Sequence, residues 1–385
     1  MLKRMLGAAL AAVLVLAPVP AARAVGTSAS AAVLMDAGSG RVLYEANADE
    51  ERLIASITKL MTALVALESG HSLDEVVTVR PEWAGAEGSS IYLQAGEKVT
   101  LETLLYGMLL RSGNDAALAV AGFCGGSVEA FVDRMNEKAS ALGMTHSRFA
   151  NPNGLNHPDH YSSARDMALL ARACLENETL ARMVSTRSIT LGTRVFTNHN
   201  KLLWRYRGCV GMKTGFTEKA GRTLVSAAER DGMTLICVTL NDPNDWADHT
   251  ALLDYGFANY RAQTLTEAGE TVCRLPVSES LIPFCTAVAG ESRALCLEPG
   301  ERVDRELRLD QTALTAPISE GTRLGEAVYF SGGTEVGRVP LVAGEEIPVL
   351  RRPGLGFLDR LLNRLESLSG RSGGAGQSPP AVEMK

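Results

Sequence analysis

After Ala24 the chain has no apolar run approaching the ~20 residues that a bilayer crossing needs. It has no C-x-x-C pair, which removes the usual zinc and dithiol redox motifs. No run of lysines and arginines stands out, and the net charge is −6, so no nucleic-acid footprint is present and nucleic acid is not an expected partner. G-x-S-x-G is also missing. The six histidines (His71, His146, His157, His160, His199 and His249) stand in no informative context, so nothing supports a Ser-His-Asp hydrolase, a triad that geometry rather than spacing defines. His157-Pro158-Asp159-His160 reads as a loop because of Pro158 rather than as a metal site. No metal or other cofactor is expected, and no internal repeat is visible.

The first residues are set apart from the rest. Lys3 and Arg4 precede an apolar run from Leu6 to Val19, followed by Pro20 and Ala22-Arg23-Ala24. That order reads as a secretory signal peptide, residues 1–24, and implies export; an uncleaved membrane anchor would need ~20 apolar residues, and this run is shorter and carries prolines. About 360 residues remain, enough for two domains, and a hydrophobic content of 46% supplies their cores. Seven cysteines cannot all pair with one another. Cys124, Cys174 and Cys237 lie in apolar company and read as small buried hydrophobes. Cys273, Cys285 and Cys296 are close in sequence, which leaves one disulfide among them open.

From Ala31 to Glu45, two short apolar runs flank Asp36-Ala37-Gly38-Ser39-Gly40 and predict a β-hairpin. An apolar helix over Leu53–Glu68 follows, then helical stretches at Leu101–Val120, Val128–Leu142 and Ala164–Leu175. The period changes after Cys209. Thr223–Arg230 and Met233–Leu240 read as strands joined by Asp231-Gly232, a two-residue type I′ signal. Ala247–Tyr260 returns to helix. Strands at both ends with helices between them predict an α/β (α+β) fold, one antiparallel sheet flanked by helices, over residues 25–262. Short β-rich runs, with Ser331-Gly332-Gly333 marking one hairpin, predict a small C-terminal all-β domain over 263–350. Residues 351–368 place leucines at helical spacing between charged residues. Two readings stand side by side there: an interfacial helix on a membrane, or a helix packed on a domain or another chain. The Gly/Ser/Pro-rich residues 369–385 are expected to be disordered.

Chemistry enters with L-I-A-S-I-T-K-L-M-T-A-L-V-A-L, Leu53–Leu67. A lysine inside a helix buried on most sides is costly unless it is paired or neutral. Ser56 and Lys59 are three apart and share a helical face. Burial lowers the lysine pKa, so Lys59 can take the proton that makes Ser56 a nucleophile. The helix start would offer positive potential to an oxyanion. One S-x-x-K occurs by chance in a chain of this length, on the order of composition alone, so the motif needs company. Ser112-Gly113-Asn114 supplies a hydroxyl for proton relay and an amide between two apolar helices; it reads equally as a helix end and a fresh N-cap at Asn114. Lys213-Thr214-Gly215 places a cation and a hydroxyl on a strand along which a peptide can add antiparallel, with Gly215 allowing close backbone approach.

In this order S-x-x-K, S-G-N and K-T-G form a known signature, and the chain resembles the serine D-alanyl-D-alanine carboxypeptidases, the low-molecular-weight penicillin-binding proteins. Leu34-Met35-Asp36, Gly40–Tyr44, Phe149–Leu155, Ser163–Asp166 and Asn198–Leu203 resemble other parts of that family, so the likeness runs from about Ala31 to Tyr260. The resemblance implies a penicillin-binding protein/β-lactamase-like fold and removal of the terminal D-alanine from peptidoglycan stem peptides ending in D-Ala-D-Ala. It also implies β-lactam antibiotics as acylating inhibitors, an extracytoplasmic location, and possible peripheral membrane contact through the C-terminal helix.

By the same resemblance, Ser56 is acylated, Lys59 is its general base and Ser112 relays the proton. Asn114 orients Lys59 and the substrate amide, while Lys213 and Thr214 hold the terminal carboxylate beside Gly215. The N–H groups of Ser56 and Phe216 form the oxyanion hole. There is one departure: the arginine that some members carry after the last hairpin is missing from Asn241–His249, which leaves Arg222 as a weak candidate. That stretch resembles Gram-positive members, including some that act on the spore cortex. A β-lactamase would need a deacylating glutamate in E-x-x-L-N, which is missing around Glu176–Leu180. A catalytically weak sensor of peptidoglycan or penicillin is the alternative of another class.

Overall fold

Alternation in one strand sets the architecture. In β1 (Ala31–Asp36) every residue is buried, with Ala31, Val33 and Met35 in one apolar cluster and Ala32 and Leu34 in another. Successive strand residues face opposite sides, so a strand buried on both must have a layer on each. The computed structural model describes residues 25–349, 360–362 and 364–365, and it shows both layers. β1 pairs with β2 (Val42–Ala46) in the predicted hairpin. The helical region follows, with a 3-10 turn at Ala55–Thr58, then α1 (Lys59–Leu67), β3 (Val76–Thr78), β4 (Lys98–Thr100), α2 (Leu101–Leu110), α3 (Asn114–Gly125), α4 (Val128–Ala141), α5 (Ala164–Glu176) and α6 (Glu178–Ser185). A small hairpin, β5 (Ser188–Leu191) and β6 (Arg194–Thr197), leads through α7 (Leu202–Arg205) to β7 (Cys209–Thr217), β8 (Gly221–Arg230) and β9 (Met233–Leu240), then α8 (Asp245–Asn259).

The five-stranded sheet has the order β2-β1-β9-β8-β7 and is antiparallel throughout. Leu252 and Leu253 of α8 pack on Leu34, Leu224 and Leu235 on one face, and the α1–α6 layer packs on Val33, Val225 and Ile236 on the other. The predicted antiparallel sheet flanked by helices is therefore what forms. Asp231 (φ 50°) and Gly232 (φ 76°) make the turn between β8 and β9, both left-handed as a type I′ turn requires.

Three expectations change in detail. The helix expected over Leu53–Glu68 is helical in α form only from Lys59, because Ala55 sits at φ 51° and the chain enters through a 3-10 turn. The β3/β4 and β5/β6 pairs and α6 were not anticipated; they are short, and their apolar residues show too few repeats to reveal a period. Cys273, Cys285 and Cys296 are free, as are the other four cysteines. Cys285 lies in the core of the β unit while Cys296 belongs to the α8 face of the sheet, so no bridge joins them.

The C-terminal β unit comprises β10 (Arg261–Thr266), β11 (Thr271–Ser278), β12 (Phe284–Ala289), β13 (Arg293–Leu297), β14 (Val303–Leu309), β15 (Leu314–Thr315), β16 (Arg323–Ser331) and β17 (Thr334–Ala343). Six of them form the sheet β14-β16-β17-β12-β11-β15, and β10 pairs with β13. Arg41 of the first hairpin reaches across to Cys296 O (3.0 Å) and Glu301 (2.9 Å), so the two units share a polar seam. The signal-peptide reading and the disordered tail lie outside the described residues, as does most of 351–368. Of that segment Arg360–Leu362, Arg364 and Leu365 are helical and exposed. Among the described residues no single helix is long and apolar enough to cross a membrane.

Candidate active site

Lys59 is entirely buried, at 0% exposure, at the first turn of α1. Its Nζ lies 2.9 Å from Ser56 Oγ, 2.7 Å from Asn114 Oδ1 and 2.6 Å from Asn153 O. The last two can only accept. As an ammonium Lys59 donates to all three oxygens; as a neutral amine it has two N–H groups for Asn114 Oδ1 and Asn153 O and turns its lone pair to the Ser56 hydroxyl. Burial pushes the Lys59 pKa well below its ordinary value, and the Lys213 charge lowers it further against the opposing pull of Asp115. Three acceptor oxygens suit an ammonium as well as an amine, and the lowered pKa is what favours the neutral form.

Asn153 belongs to a loop built around that contact. Asn151 Oδ1 accepts from Gly154 N at 2.7 Å, and Thr62 of α1 donates to Pro152 O at 2.6 Å. Gly154 has φ 85°, and a Cβ there would meet Ala55 O at 1.9 Å. Only glycine lets this loop lie against the turn that carries Ser56. From the other side, buried His160 completes the support. Its Nδ1 accepts from Ala150 N at 3.1 Å, and its Nε2 lies 2.8 Å from Thr58 Oγ1, which donates to Ala55 O at 2.8 Å. Desolvation first, then His157 and Lys59, push its pKa to about 4, so the ring is neutral with its proton on Nε2. Sequence reasoning gave His160 no role and knew this loop only by resemblance; no local pattern announces either.

Ser112 stands between α2 and α3 at φ 63°, a left-handed serine. Its Oγ lies 3.2 Å from Lys213 Nζ. Asn114 is not an N-cap: it is the first residue of α3, where Gly113 occupies the cap position. Its amide is committed elsewhere, with Oδ1 on Lys59 and Nδ2 donating to Glu87 O at 2.5 Å. Next to it, buried Asp115 accepts from Ser90 Oγ (2.6 Å), Ile91 N (3.0 Å) and Leu93 N (3.0 Å). One carboxylate thus pins the loop 90–93 beside Asn114.

β7 is an edge strand of its sheet, and a bulge precedes the lysine it presents. The register with β8 shifts between Cys209 and Gly211, Gly211 (φ 108°) and Met212 (φ 92°) follow at positive φ, and bulges of this kind re-aim side chains. Asn200 Nδ2 donates to Gly211 O at 2.9 Å and holds the bulge. Beyond it Lys213 is 1% exposed, donates to Thr214 O at 2.9 Å, and has its pKa pushed down to about 7 by burial.

Pairing fixes the direction of the backbone at Phe216. Arg222 O accepts from Asp242 N on the far side, so Arg222 points toward β9. Its cross-strand partner Phe216 must then direct N–H and C=O away from β8, into the cleft. Gly215 differs from expectation: a Cβ there would meet Thr223 Oγ1 at 2.4 Å and Ser56 N at 2.9 Å. The space it leaves is taken by the Ser56 backbone, not by a ligand. Ser56, Lys59, Ser112, Asn114, Lys213, Thr214, Gly215 and Phe216 therefore come together around one cleft. Arg222 does not join them. It pairs bidentately with Asp245 at the start of α8, at 2.9 and 2.8 Å.

A buried amine on a serine at a helix mouth, facing a lysine on an edge strand, defines a serine acyltransferase of the penicillin-binding type. Comparison with known proteins carries this further. The family model for D-alanyl-D-alanine carboxypeptidase matches residues 19–244, and that for the penicillin-binding protein 5 C-terminal domain matches 260–349. The chain is 34% identical over 334 residues to D-alanyl-D-alanine carboxypeptidase DacF of Bacillus subtilis, covering 83% of this chain and 86% of that one. It is 34% identical over 336 residues to DacC of Escherichia coli, covering 83% and 84%. Penicillin-binding protein 5 of Haemophilus influenzae superposes with a TM-score of 0.74 at 30% identity, covering 84% and 98%. The chain belongs to the D-alanyl-D-alanine carboxypeptidase family.

Proposed function

We propose that this chain is a serine-type D-Ala-D-Ala carboxypeptidase whose acyl-enzyme forms on Ser56. Family membership supports the activity, and the observation that carries the residue roles is the Lys59 amine, buried and oriented by Asn114 Oδ1 and Asn153 O with its remaining contact on Ser56 Oγ. Ser56 Oγ attacks the carbonyl carbon of the penultimate D-alanine while its proton passes to Lys59. The oxyanion accepts from the N–H groups of Ser56 and Phe216; one such donor is worth roughly 3 kcal/mol of barrier. Lys213 and Thr214 hold the terminal carboxylate. The C–N bond breaks as Ser112, whose Oγ lies 3.2 Å from Lys213 Nζ, gives its hydroxyl proton to the leaving amine and takes in exchange the proton that Lys59 holds, so that D-alanine departs and Lys59 is again a neutral amine. Water then hydrolyses the ester, giving its proton to Lys59 and restoring Ser56. A β-lactam enters by the same attack and leaves a covalent acyl group on Ser56.

The substrate, a peptidoglycan stem peptide, places the enzyme on the extracytoplasmic side, in keeping with the signal-peptide reading of residues 1–24. The amphipathic segment 351–368 is the part of the chain suited to peripheral membrane contact, which pelleting of the full chain with lipid vesicles tests. The central test pairs two assays. Labelled penicillin is expected to acylate Ser56 stoichiometrically, and a D-Ala-D-Ala peptide is expected to release free D-alanine. Acylation without release would make the chain a sensor; neither, from folded protein, would refute the assignment.

A further inference from the structure

The chain has no arginine between Asn241 and His249, and Arg222 is turned to the α8 face and held by Asp245. Arg194, another cation of the helical side, is saturated by Ile91 O (2.6 Å) and Glu97 (2.5 Å). Arg111 is different. It caps α2, its backbone N–H donating to Gly107 O at 3.2 Å, and its side chain is exposed. Among the described residues its guanidinium has no hydrogen bond or ion pair. It also directly precedes Ser112, whose Oγ lies 3.2 Å from Lys213 Nζ; adjacent Cα atoms are about 3.8 Å apart, so its long stem starts at the mouth of the cleft. His199 abuts the same corner, its backbone N–H donating to Leu110 O at 3.1 Å.

We propose that Arg111, with His199 beside it, recognises the terminal carboxylate of the substrate in this chain, completing the site that Lys213 and Thr214 begin. The inference rests on the carboxypeptidase reading above. A guanidinium binds a carboxylate through paired N–H donors, and an arginine left without a protein carboxylate keeps those donors for a ligand. Both cations bear on His199: partial desolvation first, then Lys213 and Arg111, hold its pKa down to about 4. The ring is neutral at physiological pH, so it adds a hydrogen bond without competing for the anion.

The test compares two acyl-D-Ala-D-Ala peptides, one ending in a free carboxylate and one in a carboxamide. In Arg111→Ala the ratio of kcat/KM for carboxylate over carboxamide is expected to fall at least tenfold, chiefly through KM, with partial recovery in Arg111→Lys. Arg222→Ala is expected to keep the wild-type ratio. A thermal melt of each variant separates misfolding from lost recognition. The acylation rate by benzylpenicillin against its methyl ester gives the same ratio without peptide turnover. An unchanged ratio in Arg111→Ala overturns the proposal, as does an equal loss on both peptides. A wild-type chain that acylates with penicillin but cleaves neither peptide overturns the carboxypeptidase reading instead, while the ester ratio still decides the role of Arg111.

Discussion

Charge is handled in opposite ways by the catalytic region and the C-terminal β unit. Around the cleft, Lys59, Lys213 and Asp115 are buried and each is met by named partners. In the β unit, Arg308–Glu306, Arg323–Glu326 and Arg338–Glu335 lie on strands at the surface. A buried charge is costly and persists only where every direction is satisfied, whereas an exposed pair contributes little. The cost in the first region lowers the pKa of both Lys59 and Lys213, whereas the arginines of these surface pairs keep their charge in water.

The largest effect expected from breaking this contrast is at the base. Lys59→Ala should slow penicillin acylation of Ser56 by on the order of 10³-fold or more, as loss of a general base does, measured by labelling with time. Steric intrusion comes next. Gly215→Ala puts a Cβ against Thr223 and the Ser56 backbone, and should cut acylation about 10–100-fold while costing about 1–3 kcal/mol in denaturant unfolding. The pH profile sharpens the difference between the lysines. Lys59 must be neutral to act and its pKa is lowered, so acylation should rise with pH as it deprotonates. Lys213 must be charged, so acylation should fall as pH climbs through about 7 in the free enzyme. A bell-shaped kcat/KM profile is expected, and Lys213→Arg should remove the fall on the alkaline side. His160→Ala leaves Ala150 N–H and Thr58 without their partner and should cost about 1–3 kcal/mol. The smallest effect is reserved for the β unit: Arg338→Ala should change stability by less than about 0.5 kcal/mol.

Much of this is legible in the sequence alone. The strands β8 and β9 with their Asp231-Gly232 turn, the apolar helix carrying Lys59 and the three motifs follow from period, turn chemistry and residue type. What stayed hidden depends on distant segments meeting. Asn153 supplies only a backbone carbonyl to Lys59, which leaves no trace in residue type. His160 reads as a loop histidine until its two nitrogens are seen bridging residues far apart in sequence. Gly215 reads as a place for ligand approach because sequence shows that a side chain is missing but not what fills the gap. Arg222 stands as a candidate in the sequence because strand alternation alone does not say which face holds the site.

Between Asn259, the last residue of α8, and Arg261, the first of β10, there is a single residue, Tyr260. It is buried, its hydroxyl donates to Glu298 at 3.1 Å, and the Arg41 guanidinium lies 5.8 Å from its ring centre. So short a joint has no slack to act as a tether. On the proposed function, the β unit would serve as a spacer, and a joint held by Tyr260 and Arg41 would keep Ser56 at a set height and tilt above whatever the far end of that unit meets.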